Sequence, residues 1–145
     1  MALVLVLSLK GRNIKIKEIL HLSTDFQYQN LYSNLVSGMS ELGFRQSIFI
    51  QHRGDQNDQP NYVYPGARVW VSYTYRFWMK VFFNARVNKI YSDLVSSNLI
   101  KKDSLIMAYF LMTDGAVAYR AFKKLGTPYV VSVRNSDVNH YLKYR

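Results

Sequence analysis

Gly126-Thr127-Pro128-Tyr129-Val130-Val131-Ser132-Val133-Arg134-Asn135-Ser136-Asp137 decides how the fold of this chain is read. A glycine and a proline lead into Tyr129–Val133, a run of β-formers that reads as a strand buried on both faces. The run then breaks into a polar cluster. Three other apolar runs end the same way. Ile16–Leu22 meets Ser23-Thr24-Asp25, Ser47–Ile50 meets Gln51-His52-Arg53, and Leu105–Phe110 leads to Thr113-Asp114-Gly115. Helical patterns separate most of these runs. Short β-rich runs alternating with helices describe a parallel α/β sheet, in which all strand carboxyl ends point one way. The polar clusters should therefore converge on one crevice, and function is expected there.

Working outward, Ile16–Ser23 reads as the first strand and Asn30–Leu42 as the first helix. Leu31, Leu35, Met39 and Leu42 recur at helical spacing, Tyr32 and Val36 widen the stripe, and Gly43 is a left-handed stop. Arg45–Gln51 completes a βαβ unit with a right-handed crossover. Arg53–Arg68 is rich in turn formers and reads as a long loop. Val69–Tyr75 is a third strand. Phe77–Ser97 is a long helical pattern through Phe77, Val81, Ala85, Asn88 and Tyr91-Leu94-Val95. Asp103–Phe110 is a fourth strand, and Val117–Leu125 is a helix closed by Gly126. Asp137–Arg145 begins another helix, whose Tyr141, Leu142 and Tyr144 need cover, so more protein is expected to follow. Residues 1–13 read as a leader, either native or left by cloning. Its apolar Ala2–Leu9 lacks the preceding positive charge and the cleavage site of a signal peptide. Residues 14–145 are then a single, incomplete domain.

Composition narrows the class. A chain of 145 residues with 49% hydrophobic content can bury one core, and this argues against disorder. The absence of Cys excludes disulfides, thiolate metal sites and a Cys nucleophile, and mildly favours a reducing compartment. No segment reaches the ~20 apolar residues of a membrane span. The net charge of +10 reads either as attraction to an anionic partner or as a solvated basic surface. The basic residues are scattered, densest at Lys10, Arg12, Lys15 and Lys17, and no nucleic-acid motif accompanies them. A phosphorylated substrate or an anionic membrane surface is preferred to nucleic acid.

Three clusters carry candidate chemistry. Ser23-Thr24-Asp25 offers hydroxyls, a carboxylate and free N–H groups at a strand–helix turn, which suit a phosphate or sugar and equally suit helix capping. Neither GxGxxG nor GxxxxGK[ST] is present, which argues against a self-contained dinucleotide or ATP site. Asp114 can cap the helix that follows it, and Gly115 would admit a ligand close to the backbone. Arg134-Asn135-Ser136-Asp137 is the sharpest group: Arg134 could fork onto a phosphate or carboxylate and Asp137 could bind sugar hydroxyls. An Arg134–Asp137 ion pair with Ser136 as cap is the structural alternative. His21, His52 and His140 lack metal-ligand spacing, and His21 reads as a packed core histidine. No GxSxG elbow is present for a serine hydrolase.

From about Lys17 to Arg145 the chain resembles the N-terminal domain of family-4-type retaining glycosyltransferases of the two-domain GT-B fold. The resemblance rests on Ile19-Leu20-His21-Leu22-Ser23-Thr24-Asp25-Phe26, on Leu31–Gly43, on Leu105–Phe110 with Asp114-Gly115-Ala116-Val117-Ala118, and on Gly126–Val138, in that order. It implies an α/β, Rossmann-like doubly wound parallel sheet of order 3-2-1-4-5 in three layers, the truncated N-terminal lobe of the enzyme. It implies transfer of a sugar from a nucleotide-sugar donor with retention, usually without a metal or other cofactor. This lobe would bind a sugar, glycan or lipid-linked acceptor through Ser23, Thr24, Asp25, Phe26, Asp114, Gly115, Arg134, Asn135 and Asp137. A C-terminal domain carrying a Glu-x7-Glu pattern would hold most of the donor, so this lobe alone should be silent.

Such enzymes often build cell-surface polysaccharide or glycolipid in the cytoplasm or at the cytoplasmic face of the membrane. Here Arg134 and Asn135 stand where relatives carry His and Gly, so Arg134 would act by charge. Thr24–Tyr28 replaces the family's frequent glycine-rich loop, and Met107 and Tyr109 replace its fourth-strand histidines. A truncated sheet domain with uncovered apolar surface is also a candidate homodimer. The competing expectations are a non-catalytic flavodoxin- or receiver-like binding module and, more weakly, a basic nucleic-acid binder with steep salt dependence.

Overall fold

The computed structural model describes residues 16–23, 30–52, 64–73, 79 and 81–133. In chain order they form β1 (Glu18–Ser23), α1 (Asn30–Glu41), β2 (Arg45–Gln51), β3 (Ala67–Ser72), α2 (Phe83–Ser96), β4 (Ser104–Ala108), α3 (Thr113–Leu125) and β5 (Tyr129–Val131). The strands make one parallel sheet of order β3-β2-β1-β4-β5. The chain builds outward from β1 to β3, then crosses back to lay β4 on β1's other edge. This is the Rossmann-like order expected, and it differs from the 2-1-3-4-5 order of flavodoxin and receiver domains.

Alternation along the strands sends two apolar sets to opposite faces. On one face Leu20, Leu22, Phe49, Ile106 and Ala108 pack with Val87, Ile90 and Leu94 of α2 and Val117, Ala118 and Ala121 of α3. On the other face Ile48, Ile50 and Tyr109 pack with Tyr32 and Val36 of α1. These two helix layers around the sheet are the three layers expected. Each large side chain removed from water contributes roughly 1.5–3 kcal/mol.

The helices turn inward only part of the stripes their spacing suggested. In α1, among the residues whose side chains are described, Tyr32 and Val36 are buried as expected and Leu35 packs beside them, while Leu42 is 76% exposed beyond the helix end. In α2 they are Val87, Ile90 and Leu94. The stripe anchored on Phe77 and Val81 starts too early, because α2 begins only at Phe83. Conversely, α3 begins at Thr113 rather than Val117.

β5 is shorter than its run of β-formers: after Val131 only Ser132 continues, donating its N–H to Ala108 O at 2.8 Å. As an outer strand, β5 is less enclosed than β1, all six of whose residues are buried. The strand before the sharpest polar group is therefore not the most buried. Gly43 and Gly126 adopt φ of 81° and 71°, the left-handed stops expected of them.

A buried polar chain threads the α1 face. Gln46 Nε2 donates to Val36 O and to Ser40 Oγ, both at 2.6 Å. A carbonyl can only accept, so the amide orientation is fixed and Gln46 Oε1 must accept from His21 Nε2 at 2.8 Å. That leaves His21 Nδ1 bare to accept the Tyr109 hydroxyl at 2.7 Å. Burial lowers the His21 pKa from 6.5 to about 4, so the ring is neutral, as this arrangement requires. His21 is thus the packed core histidine that its place in a strand predicts.

The turn-rich stretch 53–63, the leader at residues 1–13 and the helix expected from Asp137 lie outside the described residues.

Candidate functional site

Strand order reverses between β1 and β4, and the helices that follow them, α1 and α3, pack on opposite faces of the sheet, which makes this the topological switch point. Ser23 ends β1 there, 1% exposed. The ladder continues one step past β4, with Tyr109 N–H donating to Leu22 O at 3.2 Å. The next residue, Phe110, turns the chain into α3 and accepts the Gly115 N–H at 2.8 Å. Ser23 and the start of α3 therefore flank the switch point.

Asp114 lies within the first turn of α3 and is 3% exposed. It is not the cap that the sequence suggested, because the helix starts one residue before it and Met112 holds the cap position. A carboxylate in the first turn of a helix is favoured by the helix dipole. Gly115 has a packing role: a Cβ there would lie 3.4 Å from both Phe110 O and Val131 Cγ1. The absent side chain lets α3 seat directly on the ends of β4 and β5. Of the other candidates, Thr24, Asp25, Phe26, Arg134, Asn135 and Asp137 lie outside the described residues.

Three further polar groups stand at the same sheet edge: Gln51 and His52, from the cluster that ends the second strand, and Arg86, which the sequence did not single out. His52 follows β2, 5% exposed, donates its N–H to Ser72 O at 2.9 Å and meets Tyr73 edge-on at 5.3 Å. Gln51 ends β2, 3% exposed, and its Nε2 has no hydrogen-bond partner among the described residues. Arg86, in the first turn of α2, donates from Nη2 to Thr113 Oγ1 at 2.7 Å and sits 5.6 Å from the Phe83 ring centroid. Its Nε is also buried without a partner among the described residues.

Leaving a buried donor unpaired costs about 1–3 kcal/mol. Two such donors at the carboxyl edge suit a ligand rich in acceptor oxygens. Gln51 and His52 do stand in one of the polar clusters that end the apolar runs. Arg86 gives no such signal: it sits inside a helical pattern, and only the packing of α2 against α3 brings it to Thr113.

The opposite edge of the sheet has a different character. A cleft of about 610 Å³ lies there, lined by residues that include Asn98, Ile100, Lys101, Lys102 and Thr127 from the segments entering β4 and β5. Arg45 binds Asp103 at 2.9 Å, and Ser47 Oγ donates to Glu18 Oε1 at 2.8 Å. This edge carries ion pairing where strands enter. No group of three or more His, Cys, Asp or Glu suited to a metal occurs among the described residues. No protein family, curated protein or solved structure matches the chain.

Proposed function

We propose that this chain is the acceptor-binding lobe of a retaining glycosyltransferase that uses a nucleotide-sugar donor and works in cell-surface polysaccharide or glycolipid synthesis. The observation that carries the reading is the β1/β4 switch point, flanked by Ser23 and Asp114 at the carboxyl edge of a 3-2-1-4-5 sheet. Open α/β sheets bind their ligands at that place. Gln51 Nε2 and Arg86 Nε, buried at the same edge without a partner among the described residues, suit the hydroxyl and phosphate oxygens of a glycan or a lipid-diphosphate acceptor. On this reading Arg134 steadies acceptor or donor phosphates by charge, and a second, C-terminal lobe supplies most of the donor contacts.

No helix among the described residues is long and apolar enough to cross a membrane. The net charge of +10 supports work at the cytoplasmic face of an anionic membrane.

The test is calorimetric titration of the chain with free oligosaccharides, glycolipids and diphosphate-linked sugars. Binding of at least one class is expected, weakened about tenfold or more, equivalent to about 1.4 kcal/mol, by Asp114→Asn and by Arg134→Ala. Failure of every class to bind, or binding that neither substitution alters, would overturn the proposal.

A further inference from the structure

Between Asp58 and Asp93 the sequence contains no acidic residue, yet it carries Arg68, Arg76, Lys80, Arg86 and Lys89. Trp70, Trp78, Phe82 and Phe83 are interleaved with them. Within this stretch lie some of the most exposed apolar side chains among the described residues: Val81 is 79% exposed, Phe82 60%, Trp70 42% and Phe83 36%. Val81 and Phe82 precede α2 and Phe83 begins it, so all three stand at the carboxyl edge of the sheet, on the α2 side. Trp70 is the register partner of Phe49, whose side chain packs under α2, so Trp70 faces the same side. Arg86 lies one turn into α2 with its guanidinium over the Phe83 ring, and Lys89 is exposed one turn further on.

We propose that Val81-Phe82-Phe83, with Arg86 and Lys89 on the following turns of α2, docks the chain on an anionic lipid bilayer. Peripheral attachment requires two signals together, apolar side chains that enter the boundary between headgroups and acyl chains and basic groups that meet anionic headgroups. Both are present here. Aromatic rings suit that boundary, and long basic side chains reach from apolar surroundings to phosphate. The absence of acid from Gln59 to Ser92 selects an anionic partner over a neutral one. Docking through this rim would hold the carboxyl edge of the sheet against the membrane, where a lipid-linked acceptor resides. The proposal extends the membrane reading above and rests on it, but it does not depend on which chemistry the crevice performs.

The test is co-sedimentation of the intact chain with vesicles of phosphatidylcholine alone and of equal parts phosphatidylcholine and phosphatidylglycerol. Binding to the phosphatidylglycerol vesicles is expected, with little to phosphatidylcholine and a marked decrease as salt is raised. V81S/F82S should lower vesicle partition by about tenfold or more, with an unchanged far-ultraviolet circular dichroism spectrum. Lys89→Glu should lower it severalfold, and Leu125→Ser at the opposite edge should leave it unaltered. The proposal is overturned if the native chain ignores anionic vesicles or if V81S/F82S binds them as the native chain does. It is equally overturned if V81S/F82S instead dissolves a lipid-free dimer in sedimentation equilibrium, which would identify the rim as a contact between copies. The vesicles contain no sugar, so failure of the glycan titration leaves this measurement readable.

Discussion

At the scale of single residues, the most informative group is His21. It is fully buried, its two ring nitrogens are spoken for in opposite senses, and its pKa is lowered to about 4 by burial. The unfolded imidazole takes up a proton near pH 6.5, whereas the folded one resists until about pH 4. Between those values the unfolded state binds more protons, so this contribution is complete above pH 6.5 and is lost as pH falls toward 4. The loss is at most roughly 3 kcal/mol. Urea midpoints measured across that window should fall with pH in the native chain and fall less in His21→Gln; parallel curves would reject this role. Tyr109→Phe removes the hydroxyl donated to His21 Nδ1 and should cost about 1–2 kcal/mol in the same assay at neutral pH. Gly115→Leu should cost about 1–3 kcal/mol, because Phe110 O and Val131 already fill the space beside that Cα.

At the scale of elements, the strands were legible and the helix faces only in part. The apolar runs at Ile16–Ser23, Arg45–Gln51 and Asp103–Phe110 contain β1, β2 and β4, because a strand enclosed on both faces needs little beyond a short β-rich run. Gly43 and Gly126 were legible for a similar reason: a left-handed stop is a local demand that few residues meet. In the helices Tyr32, Val36 and Leu94 face the core as their spacing predicts, and the misreadings lie at the helix ends. Leu42 shares the spacing of a core stripe, but α1 ends before it, and Val81 shares the spacing of α2 but precedes it. Spacing marks a stripe only where the helix exists. Two leucines make the contrast measurable. Leu94→Ala, at 0% exposure in α2, should cost about 2–5 kcal/mol by chemical denaturation, whereas Leu42→Ser, at 76% exposure, should stay within about 0.5 kcal/mol of the native chain. At the candidate site, Ser23 and Asp114 were visible because they end apolar runs. Arg86 was not, because its hydrogen bond to Thr113 exists only after two helices pack side by side.

At the scale of the whole molecule, the two edges of the sheet differ in character. The amino edge carries the Arg45–Asp103 and Ser47–Glu18 contacts, and the carboxyl edge carries Ser23, Gln51, His52, Asp114 and Arg86. Substitutions at the carboxyl edge should therefore change ligand affinity more than stability. Asp114→Asn in particular is expected to leave the urea midpoint nearly unmoved while weakening glycan binding, and a large stability loss with unchanged binding would assign it to architecture alone. Sheet order has a further consequence for synthesis. Of the five described strands β1 is translated first but lies at the centre, hydrogen-bonded to β4, whose first residue comes 86 positions after the start of β1. While the chain emerges, β1, β2 and β3 can assemble with one flank of β1 still open, a bare backbone template until Ser104–Ala108 arrives. A ribosome stalled before that point would expose a half-built sheet that invites pairing with its neighbours, so chaperone dependence and polysome aggregation should peak there and subside once β4 is in place.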